Sequence, residues 1–242
     1  MKVLLTRPQG RNQAMEEQLS KSGVAYFVTP LLAVVETTEQ LSQSRLNCTD
    51  NLLFISTNAV DFAAKKLPHT FPPHCRYFAV GQATADSLAK HSINALTSPD
   101  SSQDSEGLLS LPELQHVENQ TFIIVRGVGG RETLAEQLTQ RGAKVSYWQV
   151  YQRTTPKLDG YDICHQWQSF GIDTIVVTSG EILSNLVALV PKELFAWLRS
   201  CHIIVPSSRV EIQANALGLN HITNANGANT QATLTSLGIN LL

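Results

Sequence analysis

The chain alternates between short runs of apolar and β-branched residues and stretches in which apolar residues recur every three or four positions. The runs predict strands at residues 3–6, 24–28, 52–55, 77–80, 93–97, 122–125, 144–148, 174–177, 202–205 and 221–223. The periodic stretches predict amphipathic helices, one with Ala59, Phe62 and Ala63 and another with Ile182 and Leu186. Because continuously apolar strands are covered on both faces by the intervening helices, this order predicts an α/β fold with parallel sheets.

Three segments of the chain occur twice, in the same order. Their first residues form three pairs: Val3 and Phe122, Leu52 and Thr174, Cys75 and Cys201. Within the first pair, three positions recur at one constant offset: Arg7 and Arg126, Leu19 and Leu138, Gly23 and Gly142. A repeat of this kind predicts two similar α/β units in one chain.

The repeat is compatible with two domain arrangements. Tandem halves would meet near Glu118, whereas the alternative pairs both ends of the chain and crosses between domains twice, at residues 31–36 and 149–154. These two stretches lack glycine and have an extended character, so they can pair as a two-stranded ribbon. We therefore favour one domain from residues 1–35 and 155–242, a second from 37–150, and linker strands near 31–37 and 149–156.

Composition and charge exclude several classes of protein. The 242 residues are 43% hydrophobic and 16% charged, which excludes a disordered chain. A net charge of -2 provides no general basic field, so we expect neither nucleic acid nor a membrane as partner. The apolar start is too short for a signal peptide, the four scattered cysteines indicate reduced thiols, and we expect a cytoplasmic protein.

The residues that directly follow the predicted strands are rich in hydroxyls, glycine and arginine. In open α/β sheets, ligands bind at these strand ends, where helix N-termini present free backbone N–H groups. Taken one at a time, each serine or threonine is better explained as a helix cap than as a binding residue. Because these turns contain no carboxylate, together they predict a surface that accepts negative charge. The candidate binding residues are Arg7, Ser56, Thr57, Gly81, Gln82, Ala83, Thr84, Arg126, Gly127, Ser179, Gly180, Ser207 and Ser208.

Motifs for nucleotides and for serine hydrolases are incomplete or missing. Gly127, Gly129 and Gly130 begin a glycine-rich pattern, but Glu132 occupies its third glycine position. No phosphate-binding loop with lysine and no GxSxG elbow occurs, and no spacing suits a metal. The residues thus predict an anion-recognising cleft between two α/β domains, with no cofactor and no metal, and they do not name a reaction.

Eight stretches carry a resemblance to a known family: VLLTRP, FISTNAV, AVGQATADSL, SEGLL, IIVRGVGGRETLAEQL, VYQRT, VVTSGEILSNL and IIVPSSRVEIQANALG. In this order and spacing the chain resembles the uroporphyrinogen-III synthase family along nearly its whole length. The resemblance implies two α/β domains joined by a two-stranded linker with the active site between them. It also implies cyclisation of hydroxymethylbilane to uroporphyrinogen III, with inversion of the last pyrrole ring and release of water.

The resemblance implies roles for individual residues. Tyr151 matches a family tyrosine implicated in donating a proton to the leaving hydroxyl; the alternative is a linker tyrosine that packs at the hinge. The family places substrate-contacting hydroxyls at the positions of Ser56, Thr84 and Ser179. The backbone amides of residues 81–84 are expected to face a carboxylate of the substrate. Arg7 and Arg126 are expected to lie beside the cleft, and the alternative for each is a surface ion pair. Pro206 departs from the family pattern, so there we expect fewer amide contacts or a role for Ser208.

The expected partner is the small molecule hydroxymethylbilane, bound by a monomer. Transient contact with the preceding enzyme of the pathway is a further expectation, because that enzyme can hand over its unstable product directly. The leading alternative is a hinged two-domain protein that binds a small molecule, and a nucleotide-dependent enzyme ranks third because the glycine pattern is broken.

Overall fold

The computed structural model describes residues 1–67, 71–98, 102 and 104–239. The chain divides into two units. Unit 1 contains Met1–Ala33 and Thr154–Leu242, and unit 2 contains Val34–Arg153.

The strands, in chain order, are β1 (Lys2–Leu5), β2 (Ala25–Val28), β3 (Ala33–Glu36), β4 (Asn51–Phe54), β5 (Arg76–Ala79), β6 (Leu96–Thr97), β7 (Thr121–Gly127), β8 (Lys144–Thr154), β9 (Thr174–Val176), β10 (His202–Val205) and β11 (Ile222–Asn224).

The helices, in chain order, are α1 (Gln13–Lys21), α2 (Gln43–Asn47), α3 (Thr57–Lys66), α4 (Gln82–Ala89), α5 (Ser105–Leu109), α6 (Thr133–Gln140), α7 (Gly160–Phe170), α8 (Gly180–Leu189), α9 (Phe195–Ser200), α10 (Ser208–Ala216) and α11 (Thr230–Ser236). Two short 3₁₀ helices, Pro112–Leu114 and Lys192–Leu194, precede β7 and α9.

Unit 1 contains a five-stranded sheet in the order β11-β10-β9-β1-β2, and its neighbouring strands run parallel. Side chains of β1 alternate between two apolar layers: Leu4 packs with Trp167 and Ile203 on one face, and Val3 packs with Met15 on the other. The Nε1–H of buried Trp167 donates to the Thr29 hydroxyl at 3.0 Å, so its only polar atom is satisfied. The sheet is thus buried on both faces.

Unit 2 contains a six-stranded sheet in the order β3-β8-β7-β4-β5-β6. The neighbouring pairs from β8 to β6 run parallel. One apolar layer contains Phe54 and Trp148, and the layer on the opposite face contains Leu53 and Phe78. All residues of these two layers belong to unit 2.

The two sheets share one strand order. When β2-β1-β9-β10-β11 is read beside β8-β7-β4-β5-β6, the strands β1, β9 and β10 match β7, β4 and β5, which carry the corresponding repeated segments. The prediction of an α/β fold with two similar parallel sheets is confirmed. Unit 1 takes β1 and β2 from the start of the chain and β9, β10 and β11 from its second half.

Most predicted strands differ from the structure by one or two residues at an end, and three differences have a structural reason. Residues 93–95 are not in a strand, because the Ile93 amide donates back to the Leu88 carbonyl as the chain leaves α4, and only Leu96–Thr97 pairs. The strand predicted at 144–148 continues to Thr154 as the single strand β8. In the predicted 31–36 segment only Ala33–Glu36 is a strand, and Leu31 is buried in the unit 1 core.

We expect residues 34–153 to fold without the rest of the chain, because both apolar layers of their sheet come from this segment alone. The purified fragment should show one cooperative thermal transition by circular dichroism. A fragment with helical signal but no cooperative transition would contradict this expectation.

Candidate active site

The parallel pairing of unit 2 brings the carboxyl ends of β4, β5 and β7 to one edge of the sheet. Ser56 follows β4, Gly81 follows β5, and Arg126 and Gly127 end β7. These predicted binding residues therefore share an edge, where helices α3 and α4 begin.

Ser56 is the N-cap of α3 and a partner of Tyr151. Its backbone is extended, and its Oγ accepts a hydrogen bond from the Ala59 amide at 3.1 Å. The same Oγ lies 3.1 Å from the Tyr151 hydroxyl. Because a hydroxyl has one proton and can accept as well, Ser56 can cap the helix and still donate to Tyr151. The next residue, Thr57, is half-buried in the first turn of α3.

A β-bulge places Tyr151 in this position. Arg126 pairs with Gln149, but the next pair is Gly127 with Tyr151, so Val150 is an extra residue on β8. A bulge changes which side chains face each side of a sheet. Here it brings Tyr151 opposite a glycine and onto the face that carries α3.

The Tyr151 ring is held by close packing. The residue is 6% exposed, and its ring stacks on Phe62 with the two centroids 5.8 Å apart. A Cβ on Gly127 would lie 2.5 Å from Cε2 of Tyr151, closer than any carbon contact allows. The missing side chain of Gly127 thus makes room for the ring, and the packing directs the hydroxyl to Ser56.

Helix α4 begins without a side-chain cap. Gly81 has φ of 78° and ψ of 154°, a conformation that favours glycine, and it cannot supply a capping oxygen. The Thr84 amide donates a hydrogen bond to the Gly81 carbonyl at 3.1 Å, and Thr84 is buried. The exposed residues Gln82 and Ala83 form the outer side of this turn. A helix start of this kind carries partial positive charge that favours a carboxylate.

Arg126 lies on the opposite face of the same sheet from Tyr151. It is 2% exposed, its Nη1 lies 3.2 Å from the Glu132 carboxylate, and its Nη2 donates to the Gly129 carbonyl. Its guanidinium also stacks over Tyr147, 4.7 Å from the ring centroid. The interpretation of Arg126 as a surface residue is wrong, because alternation along β7 turns this side chain into the layer beneath α6.

Sequence reasoning missed Glu132 and Tyr147. The Tyr147 hydroxyl donates to the Glu132 carboxylate, and burial together with that carboxylate raises the pKa of Tyr147 to about 12. The turns themselves contain no carboxylate, but Glu132 lies beyond its turn and folds back onto Arg126. Period-two alternation along β8 is the sequence signal that could have placed Tyr147 on this face.

In unit 1, Ser179 follows β9 and caps α8. Its extended backbone and its Oγ, which accepts from the Ile182 amide at 3.2 Å, match the arrangement at Ser56. Gly180 is buried against Gln213, whose Nε2 donates to the Gly180 carbonyl at 3.0 Å. Gln213 was also missed from the sequence, because it lies inside α10 and away from any strand end.

The turn after β10 differs from the other hydroxyl turns. Ser207 is the N-cap of α10 but makes no side-chain cap bond, and the Ser208 hydroxyl accepts from Asn224 at 3.2 Å. Arg7 follows β1, the neighbour of β9, and donates to the Ala228 carbonyl at 2.7 Å. Partial burial lowers the pKa of Arg7 from its usual range.

Two features are absent from the described residues, 1–67, 71–98, 102 and 104–239. These residues include no group of three or more His, Cys, Asp and Glu side chains that could hold a metal ion. No helix among them is long and apolar enough to cross a membrane.

The fold and these strand ends define a parallel α/β protein of the class whose ligands meet helix N-termini at the carboxyl edge of a sheet. Residues 13–235 match the family described as Uroporphyrinogen-III synthase HemD. The chain belongs to the uroporphyrinogen-III synthase family. It is 38% identical to the uroporphyrinogen-III synthase of Salmonella typhimurium, over 98% of this chain and all of that one. Identity to the Escherichia coli enzyme is 35%, with the same coverage.

Solved structures of the same name share the fold. A uroporphyrinogen-III synthetase from Helicobacter pylori aligns with a TM-score of 0.63 at 13% identity, over 97% of this chain and 96% of that one. A mutant uroporphyrinogen III synthase from Thermus thermophilus aligns with a TM-score of 0.55 at 14% identity, over 98% and 99%.

We expect Gly127→Ala to lower the free energy of unfolding by about 1–3 kcal/mol, because the new methyl group overlaps the Tyr151 ring. Urea unfolding of the variant and the parent protein measures this change. In a Tyr151→Ala background the same substitution should cost little, since the ring is absent. An equal cost in both backgrounds would assign the effect to the backbone of Gly127.

Proposed function

We propose that this protein cyclises hydroxymethylbilane to uroporphyrinogen III, with inversion of the last pyrrole ring and loss of water. Full-length similarity to proteins named uroporphyrinogen-III synthase supports this activity. The observation that carries the proposal at the level of residues is the hydroxyl pair of Ser56 and Tyr151 at a strand end.

The first chemical requirement is a proton for the departing hydroxyl group. The carbon–oxygen bond on the first ring breaks as that oxygen takes a proton, and water leaves. We assign the donor role to Tyr151. When Tyr151 gives up its proton, the phenolate oxygen accepts a hydrogen bond from Ser56, whose proton is free because the Ala59 amide uses only an acceptor site.

The second requirement is control of which carbon closes the ring. The free chain closes spontaneously to the symmetric isomer, so the enzyme must present the substituted carbon of the last ring to the cation left by water loss. The new carbon–carbon bond forms at this substituted carbon, and the older bond from it to the methylene of the third ring breaks. That methylene then bonds to the free α-carbon of the last ring, which loses its proton to the Tyr151 phenolate, and the last ring is inverted in the product. This control is mainly a matter of orientation, which a rigid set of contacts provides.

The third requirement is binding of a polyanion. The substrate carries carboxylates on short acetate and propionate arms. We assign their recognition to the helix starts of α4, α8 and α10, with the hydroxyls of Ser179 and Ser208 and the amides after Gly81. Arg7 and Arg126 add positive charge at the same edges of their sheets.

Three further parts of the proposal concern partners and location. We propose a monomer in the cytoplasm that receives its substrate by transient contact with the preceding enzyme, and that uses neither nucleic acid nor a membrane. These parts stay predictions from composition, charge and the chemical instability of the substrate.

The activity is tested by supplying freshly prepared hydroxymethylbilane and separating the cyclic isomers by chromatography after oxidation. The proposal predicts the type III isomer at a rate far above spontaneous closure. Only the symmetric isomer, formed at the spontaneous rate, would exclude the synthase and leave a small-molecule binding protein as the better account.

We expect Tyr151→Phe to lower turnover about 100-fold or more, the range typical of a lost general acid. The loss of one hydrogen bond to Ser56 should change the free energy of unfolding by only about 1 kcal/mol. Steady-state kinetics and urea unfolding of the same preparation separate these two effects.

Tyr161→Phe is the matched control for this substitution. It also removes a tyrosine hydroxyl that makes one hydrogen bond, 3.0 Å to Glu193, but on the exposed side of α7. We expect it to keep the parent turnover. Equal turnover of Tyr151→Phe and Tyr161→Phe would remove Tyr151 from the mechanism.

A further inference from the structure

A cavity of about 180 Å³ lies at the carboxyl edge of unit 2, on the face opposite Tyr151. Its walls are mainly apolar, from Ile55, Val80, Ile124 and Leu134. A cavity of about 150 Å³ is large enough for a molecule the size of benzene, so this space can accept several heavy atoms. The polar groups in its lining are therefore the ones that select a ligand.

Arg126 lines this cavity, and one nitrogen of its buried guanidinium makes no hydrogen bond to a described residue. Nη1 contacts Glu132 and Nη2 contacts the Gly129 carbonyl, but the buried Nε has no hydrogen-bond partner among the described residues. A buried donor without a partner is unfavourable, and for a charged group the penalty is larger. An unused N–H of this kind indicates a site for an acceptor.

The charges around the cavity favour a negatively charged acceptor. Arg131 also lines it and is exposed, so the cavity reaches the surface there, and Arg131 has no salt bridge with a described residue. Glu132 offsets one of the two arginine charges, and its carboxylate is already bonded by Arg126 and Tyr147. One positive charge is thus left without a counterion among the residues that the structure describes.

The fit of Arg126 depends on Gly130. A Cβ at this position would lie 2.7 Å from Nη2 of Arg126, and its φ of 101° is one that favours glycine. The glycine-rich loop that resembled a nucleotide motif therefore wraps closely around this guanidinium. Its role in this structure is to hold Arg126 beneath the cavity.

We propose that this cavity binds a carboxylate on a short aliphatic arm, with Nε of Arg126 and the guanidinium of Arg131 as donors and the apolar walls against the methylene groups. Our assignment of that arm to a pyrrole side chain of the bilane rests on the proposed function. The cavity would then hold one arm on the face of the sheet away from Tyr151.

The binding step is tested with propionate as the probe, because it has the charge and length of such an arm. Titration is followed by ¹⁵N–¹H NMR of the arginine Nε–H groups, with the Arg126 signal identified by its loss in Arg126→Lys. The Arg126 signal should shift saturably with propionate and stay unchanged with propionamide, the neutral analogue. No saturable shift with propionate would overturn the proposal.

A second test fills the cavity with a larger side chain and compares this variant with a control that carries the same substitution elsewhere. Ala135→Leu adds bulk to the lining from α6, whereas Ala89→Leu adds the same atoms on the exposed end of α4. Ala135→Leu should abolish the propionate shift and Ala89→Leu should keep it. If Ala135→Leu does not fold, Arg131→Gln at the exposed rim provides a second test. It should weaken propionate binding about 10-fold, because one charged hydrogen bond is lost. Unchanged binding would overturn the proposal.

Kinetic measurements distinguish a failure of the cavity proposal from a failure of the proposed function. In Ala135→Leu the KM for hydroxymethylbilane should rise about 10-fold, and in Ala89→Leu it should not change. Propionate binding with an unchanged KM would overturn the assignment to the bilane arm. Propionate binding by a parent protein that makes no type III isomer would contradict the proposed function and leave the cavity as a carboxylate site.

Discussion

The parallel direction of the strands is the constraint on which the candidate site depends. Because the strands from β8 to β6 run the same way, the ends of β4, β5 and β7 and the starts of α3 and α4 meet at one edge. The same holds in unit 1 for β9 and β10 with α8 and α10. Hydroxyl caps, uncapped amides and arginines collect there without any catalytic sequence motif.

A single extra residue then divides the chemistry of unit 2 between two faces. Val150 in β8 shifts the register, so Tyr151 packs on Gly127 and reaches Ser56 on the face of α3. Arg126, the residue before Gly127, points to the other face and meets Glu132 and Tyr147. One face thus carries a hydroxyl pair suited to proton transfer, and the other carries a positive charge suited to binding.

The sequence was sufficient for the α/β class, the repeat of segments along the chain and the position of the hydroxyl turns, because these depend on local periodicity and on residues that follow strands. It was not sufficient for the roles of Glu132, Tyr147 and Gln213, which reach their partners through tertiary packing. The bulge at Val150 was also hidden, since a register shift leaves no mark on composition. Arg126 and Gly127 both end β7, but their positions face opposite sides of the sheet because neighbours on a strand alternate.

We infer that the carboxyl ends of the strands, and not their amino ends, bind the tetrapyrrole. A crystal structure of the protein grown anaerobically with uroporphyrinogen III tests it most directly. We expect ligand carboxylates within hydrogen-bond distance of the first-turn amides of α4 and of the hydroxyls at Ser56 or Ser179. A tetrapyrrole bound at the amino ends of β4 and β5, beside Asp50 and Arg76, would contradict it.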